Sequence, residues 1–192
     1  MNLKQKKTEF RDRVRELNSE FDYLAYLTYS KVIVDKIGSL KEFKEAKTLL
    51  LFSSLMDEPH LKDLIYLALE MGKKVALPYT LKGGKLKFLQ IDNEWEKNST
   101  INGWGITEPN ENIYKPIELN KKENSLIVVP AMAYSKKRER LGRGKGFYDR
   151  FLAKNRFLFS VGICFDHQLF DSLPTGMLDT NVNMVVTPST II

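Results

Sequence analysis

Residues 48–79 read as an apolar run, a helix and a second apolar run, and no other stretch narrows the possible folds as far. TLLLFSS (48–54) is short, apolar and ends in polar residues, the pattern of a buried strand. LKDLIYLALEMG (61–72) is a helix with a glycine stop. KKVALPY (73–79) is the next strand. Strand, helix and strand in that order form a βαβ unit, whose crossover pairs the two strands in parallel.

The remaining pattern extends the same architecture. SLIVVP (125–130), LFSVGICF (158–165) and NMVVTP (183–188) are further buried strands. KLKFLQI (85–91) alternates apolar and polar residues after Gly83-Gly84, which predicts an antiparallel, half-exposed strand. GWGITEP (103–109) and the basic SKKRER (135–140) read as loops. A helix over 21–37 is expected to close at Gly38. Residues 3–17 form another helix, with Leu3, Phe10, Val14 and Leu17 in a narrow apolar stripe. Lys4, Lys7, Arg11 and Arg15 follow a basic stripe roughly a quarter-turn away, at about 100° per residue. Those cations would rim the buried face and point into a cleft. The expected fold is an α/β three-layer sandwich, Rossmann-like, with a mostly parallel central sheet. A single domain over 1–192 is expected, because no repeat or low-complexity linker divides the chain.

Lysine and arginine number 30 against 24 acidic residues, a formal charge of +6. That balance suits nucleic acid, an anionic membrane surface or small polyanions without choosing among them. No nucleic-acid signature accompanies it. Cys164 is the only cysteine, so no intrachain disulfide forms. His60 and His167 lack metal-ligand spacing with it, which argues against zinc. The opening NLKQKKTEFRDR has no apolar core, and no apolar run reaches membrane-spanning length. A cytoplasmic protein is the expectation.

RLGRGKGFYDR (140–150) carries the strongest chemical signal. It follows a buried strand and opens a helix, the place where parallel sheets bind ligands. Gly142, Gly144 and Gly146 let backbone N–H groups approach an anion, and a helix N-terminus favours negative charge. Arg140, Arg143 and Lys145 add full positive charges. The run is neither a Walker P-loop, since Gly146-Phe147 follows Lys145, nor a dinucleotide fingerprint, since position 147 is Phe147. It is a phosphate cradle or a charged surface turn.

Other residues keep two readings each. Asp149 is a first-turn helix carboxylate or a magnesium ligand. Asp179 is an Asx turn or a second such ligand. Glu58 opens the helix at Leu61 or faces the cleft to bind an N–H-rich heterocycle. Trp104 stacks on a flat ligand or caps the core. Cys164 reads as core.

VPAMAYSKKRERLGRGKGFYDRFL (129–152) resembles the signature of the 5-formyltetrahydrofolate cyclo-ligase family, also called methenyltetrahydrofolate synthetase. The likeness extends to Lys7 and Arg11, Asp57-Glu58, the GK and proline of 72–78, GWGITEP, and Pro174 with Asp179. It implies an ATP-dependent cyclisation of 5-formyltetrahydrofolate, polyglutamated or not, by a monomer that acts on small molecules rather than nucleic acid or membrane. It further implies that Lys7, Arg11, Arg140, Leu141, Gly142, Arg143, Gly144, Lys145, Gly146, Phe147 and Tyr148 bind ATP. The folate would meet Ser53, Glu58, Trp104 and the stretch from Arg143 through Gly144, Lys145 and Gly146 to Phe147. Arg143 and Lys145 would be catalytic, and Asp149 and Asp179 would hold Mg2+. Three positions depart from the family pattern: Ala131 replaces a glycine, Ser135 an aspartate and Phe147 a tyrosine. Two expectations compete with it: a nucleic-acid-binding module, resting on the basic charge, the SKKRER loop and scattered aromatics, and a related α/β fold that binds a phosphosugar or acyl-CoA.

Overall fold

A computed structural model describes all of residues 1–192. The chain opens with α1 (Leu3–Ser19), whose start is fixed by a reciprocal capping box: Asn2 Oδ1 accepts from Gln5 N and Gln5 Oε1 from Asn2 N, both at 2.9 Å. Such a cap contributes about 1 kcal/mol. α2 (Tyr23–Ser39) is capped by Asp22, whose carboxylate accepts from Ala25 N. Gly38 does not end α2 but lies inside it. A Cβ there would stand 3.3 Å from Leu67 Cδ2, so the glycine serves a close helix–helix approach. A short α3 (Lys41–Glu45) leads into β1 (Thr48–Leu50), α4 (Lys62–Glu70), β2 (Lys74–Leu81) and β3 (Lys85–Ile91). The glycine stop of α4 is as expected, with Gly72 at φ +69 donating to Leu69 O.

Residues 103–109 are not wholly loop. β4 (Ser99–Ile101) and β5 (Thr107–Pro109) pair as a hairpin with Trp104 at its tip. β6 (Ser125–Val129) follows, then β7 (Ala133–Ser135) and β8 (Arg140–Leu141), which turn the basic loop into a second hairpin. Arg138 adopts φ 63 at its turn. Ser135 braces that turn, its Oγ accepting from Lys137 N and Glu139 N and donating to Glu139 Oε2. Ala131 keeps a negative φ, so its replacement of glycine costs no backbone strain. The chain finishes with α5 (Phe147–Lys154), β9 (Phe159–Ile163), a 3₁₀ turn (Asp166–Gln168), β10 (Leu169–Phe170) and β11 (Met184–Val186).

The central sheet runs β11-β9-β6-β1-β2-β3, with every neighbouring pair parallel except β2–β3. Alternate side chains of the middle strands go to opposite faces and both are buried, as parallel strands require. Leu49, Leu51, Val75, Leu77, Leu126 and Val128 pack under α2, α3 and α4. Leu50, Ala76, Ile127 and Val129 pack under Leu152 of α5. This is the expected three-layer α/β sandwich. α1 covers neither face. Its Val14 and Phe10 rest on Met132, Ala133, Leu141 and Phe170, beside the small sheet β10-β7-β8.

Strand order sets where a ligand can enter. From β1 the chain moves outward to β2 and β3 on one side and to β6, β9 and β11 on the other. The switch point therefore lies between β1 and β6, and a crevice opens beyond their carboxyl ends.

Candidate active site

That crevice is a cleft of about 1260 Å³. It is lined by Lys7 and Arg11 of α1, by Ser53 and Glu58 after β1, by Trp104, by every residue from Arg140 to Asp149, and by Asp179. Every residue that the family resemblance assigns to nucleotide, folate or metal thus lines one cavity. Arg15, the last of the basic stripe, does not; it pairs with Asp12 on the surface. Lys4 does reach the rim.

The glycine run is shaped by the cations beside it. Gly144 has φ +98, and a Cβ there would lie 3.4 Å from an Arg11 guanidinium nitrogen. Arg11 Nε donates to Gly142 O at 2.9 Å, which fastens α1 to the run across 131 residues of sequence. Gly146, at φ +65, is the N-cap of α5. Arg150 donates to Lys145 O and to Gly84 O, tying the run to the β2–β3 turn. Phe147 and Trp104 meet edge to face with centroids 5.8 Å apart. Trp104 is 56% exposed, so it is not a core cap and its ring is free to meet a ligand.

Arg140 is buried, its Nη2 2.7 Å from Asp149 Oδ1, while its Nε has no partner. Arg143 reaches the opposite wall, where Nη2 pairs with Asp57 Oδ1 and, at 3.2 Å, with Glu58 Oε1. Glu58 does not cap α4; its other oxygen accepts from Leu55 N at 3.1 Å. Burial pushes the Glu58 carboxyl up from the ordinary range, and Arg143 opposes that shift. Behind Asp57 stands a polar cluster with no signature in the sequence. Gln168 Nε2 donates to Asp57 O and Asn18 Oδ1, each at 3.0 Å, and His167 Nε2 lies 2.9 Å from the same Asn18 oxygen. Burial pushes the His167 pKa down, with Asp166 opposing it. His60 is exposed. Cys164 is fully buried and its thiol is pushed up by burial, as a core residue's would be.

The two aspartates expected at a metal share one corner, since Thr180 N donates to Asp149 Oδ1 at 3.4 Å. Both contacts of Asp149 fall on Oδ1. Both oxygens of Asp179 bond Lys7 Nζ, at 2.7 and 2.5 Å, and Oδ2 also accepts from Gly176 N. No cluster of three His, Cys, Asp or Glu forms a protein cage. Two carboxylates, one with a free oxygen, fit a hard cation that takes its other oxygens from phosphate and water.

The fold and the cleft define an α/β enzyme that binds its ligand at a sheet switch point. The chain belongs to the 5-formyltetrahydrofolate cyclo-ligase family, an enzyme family of the ligase class, whose family model matches residues 3–188. It is 31% identical over 173 residues to a probable 5-formyltetrahydrofolate cyclo-ligase of Schizosaccharomyces pombe, covering 83% of this chain and 84% of that one. It is 30% identical to the 5-formyltetrahydrofolate cyclo-ligase of Haemophilus influenzae, covering 91% and 94%. The NMR structure of Aquifex aeolicus 5,10-methenyltetrahydrofolate synthetase superposes with a TM-score of 0.80 at 27% identity, over 96% of this chain and 91% of that one.

Proposed function

We propose that this protein closes the ring of 5-formyltetrahydrofolate to 5,10-methenyltetrahydrofolate at the expense of ATP. The formyl oxygen attacks the γ-phosphorus and ADP leaves. N10 then attacks the activated carbon, phosphate departs with the original formyl oxygen, and N10 gives up its proton. No covalent enzyme nucleophile is needed, only positioning and neutralisation of charge. One observation carries the reading: Lys7, Arg11, Arg140, Arg143 and Lys145 converge with the glycine run on a cleft that also contains a buried carboxylate, Glu58.

In this reading Lys7, Arg11 and the N–H groups of 140–148 hold the nucleotide. Arg143 and Lys145 neutralise the transferring phosphoryl group. Glu58, with Ser53 beside it, holds the pterin edge, and Trp104 and Phe147 flank the folate ring. Asp149 and Asp179 would hold Mg2+, which when bound neutralises phosphate charge. The reading includes a cytoplasmic monomer that takes small molecules, with no nucleic acid or membrane partner. The test is growth of methenyl absorbance when folded protein meets 5-formyltetrahydrofolate and Mg-ATP. No turnover under those conditions rejects the reading.

A further inference from the structure

The cleft contains a second buried carboxylate. Glu108 occupies the middle of β5, opposite Thr100 of β4. Its side chain is buried yet lines the cleft beside Pro78, Leu86, Trp104 and Ile106. Thr80 of β2 supplies both of its hydrogen bonds, from N at 3.0 Å and from Oγ1 at 2.6 Å, and both go to Oε1. Oε2 accepts nothing from the protein, and no lysine, arginine or histidine pairs with the group. Nor is Oε2 sealed in the interior. A carboxylate with so little compensation is costly unless a donor meets its idle oxygen. The space in front of that oxygen is the cleft.

The surroundings select the donor. A phosphate would be repelled, and the cations suited to one lie on α1 and the glycine run. The wall around Glu108 is apolar and aromatic, which suits a flat ring that carries N–H groups. We infer that Glu108 Oε2 accepts a hydrogen bond from an N–H of the reduced folate, at a point separate from the one taken by Glu58. The inference rests on the function proposed above and adds a specificity-determining residue to it.

The geometry gives a sharp test. Thr80 N–H is a fixed donor, so it holds an acceptor on its side of the group. In Glu108→Gln the amide oxygen must turn to Thr80, and the NH2 then faces the ligand. An acceptor becomes a donor, and N–H meets N–H. Binding of 5-formyltetrahydrofolate to the full chain is measured by calorimetric titration, and KM for folate and for ATP by the absorbance assay. The expected result for Glu108→Gln is a loss of about tenfold to a hundredfold in folate affinity. KM for ATP and the melting temperature stay at wild-type values. Thr80→Val, which keeps the backbone donor but removes Oγ1, loses less in the same direction and serves if Glu108→Gln does not fold. Wild-type folate affinity in both variants overturns the inference. So do equal losses for folate and ATP, which would make Glu108 a structural brace. Wild-type protein that neither binds nor converts the folate defeats the functional reading itself, before any variant is compared.

Discussion

Arg143 bridges what would otherwise be two separate walls, since its guanidinium leaves the glycine run to contact Asp57 and Glu58. Removing it has two separable consequences. Turnover in Arg143→Ala falls by about a hundredfold or more, the scale of losing one charge-stabilising donor in a desolvated site. Glu58, already pushed up by burial, loses the cation that opposed the shift and titrates higher still. Glu58 is then more readily protonated than in the wild type, and the variant is expected to fold. Near-wild-type turnover would remove Arg143 from the mechanism. His167 makes a second prediction at this scale. Its folded pKa lies below its ordinary value of 6.5 because burial disfavours the charged ring. A depressed histidine contributes stability that is present above 6.5 and is lost as pH falls through the folded value. Thermal melts from pH 7.5 to 5 should decline more steeply for wild type than for His167→Gln. Parallel declines would show that His167 is neutral to folding. Neither Asn18 nor Gln168 could be found by reading along the chain, because polar groups joined across 150 residues leave no spacing to detect.

The turn from glycine run to helix depends on backbone states that only glycine occupies cheaply. Gly146 caps α5 at φ +65, and an added Cβ would stand 2.8 Å from Arg150 Nη1. The left-handed state costs a non-glycine residue about 1–2 kcal/mol. Displacing Arg150 also loosens its bonds to Gly84 O and Lys145 O. Gly146→Ala should lose roughly that much stability in denaturant melts, and most of its turnover as the cradle shifts. Unchanged stability together with unchanged rate would mean that the run tolerates another geometry. The long elements were legible because burial on both faces leaves continuous apolar runs, as in β6 and β9, and because α1 and α4 repeat at helical spacing. The short hairpins were not. β5 is three residues ending in Pro109, and β8 is two residues after a basic turn, too brief for alternation to register. Glu108 went unread for that reason, since its partner Thr80 lies on a different strand. Gly38 misled in the other direction, because a glycine that admits a neighbouring helix looks in sequence like one that ends its own.

At the scale of the molecule the cleft is assembled from segments distant in the chain: α1, the loop after β1, the run 140–149 and the loop holding Asp179. α1 rests on few apolar side chains, with Val14 its one fully buried residue. Its polar ties, Arg11 to Gly142 O and Lys7 to Asp179, run straight into the site. A polyanion bound there draws these segments together and should stabilise the fold by mass action. At a nucleotide concentration about 100 times its dissociation constant the gain is about 2.7 kcal/mol. For a chain of this size that corresponds to a rise in melting temperature of about 5–10 °C. Lys7→Ala should melt slightly lower than wild type when free, since α1 loses its tie to Asp179. It should also lose most of the nucleotide-dependent rise, as should Arg11→Ala. Raising ionic strength should shrink the wild-type rise, because the cations at the cleft rim are partly exposed and therefore screened. Melts with Mg-ATP at low and high salt measure all of these together. A full rise in Lys7→Ala and Arg11→Ala would mean that α1 only braces the fold, leaving the glycine run to bind the nucleotide unaided.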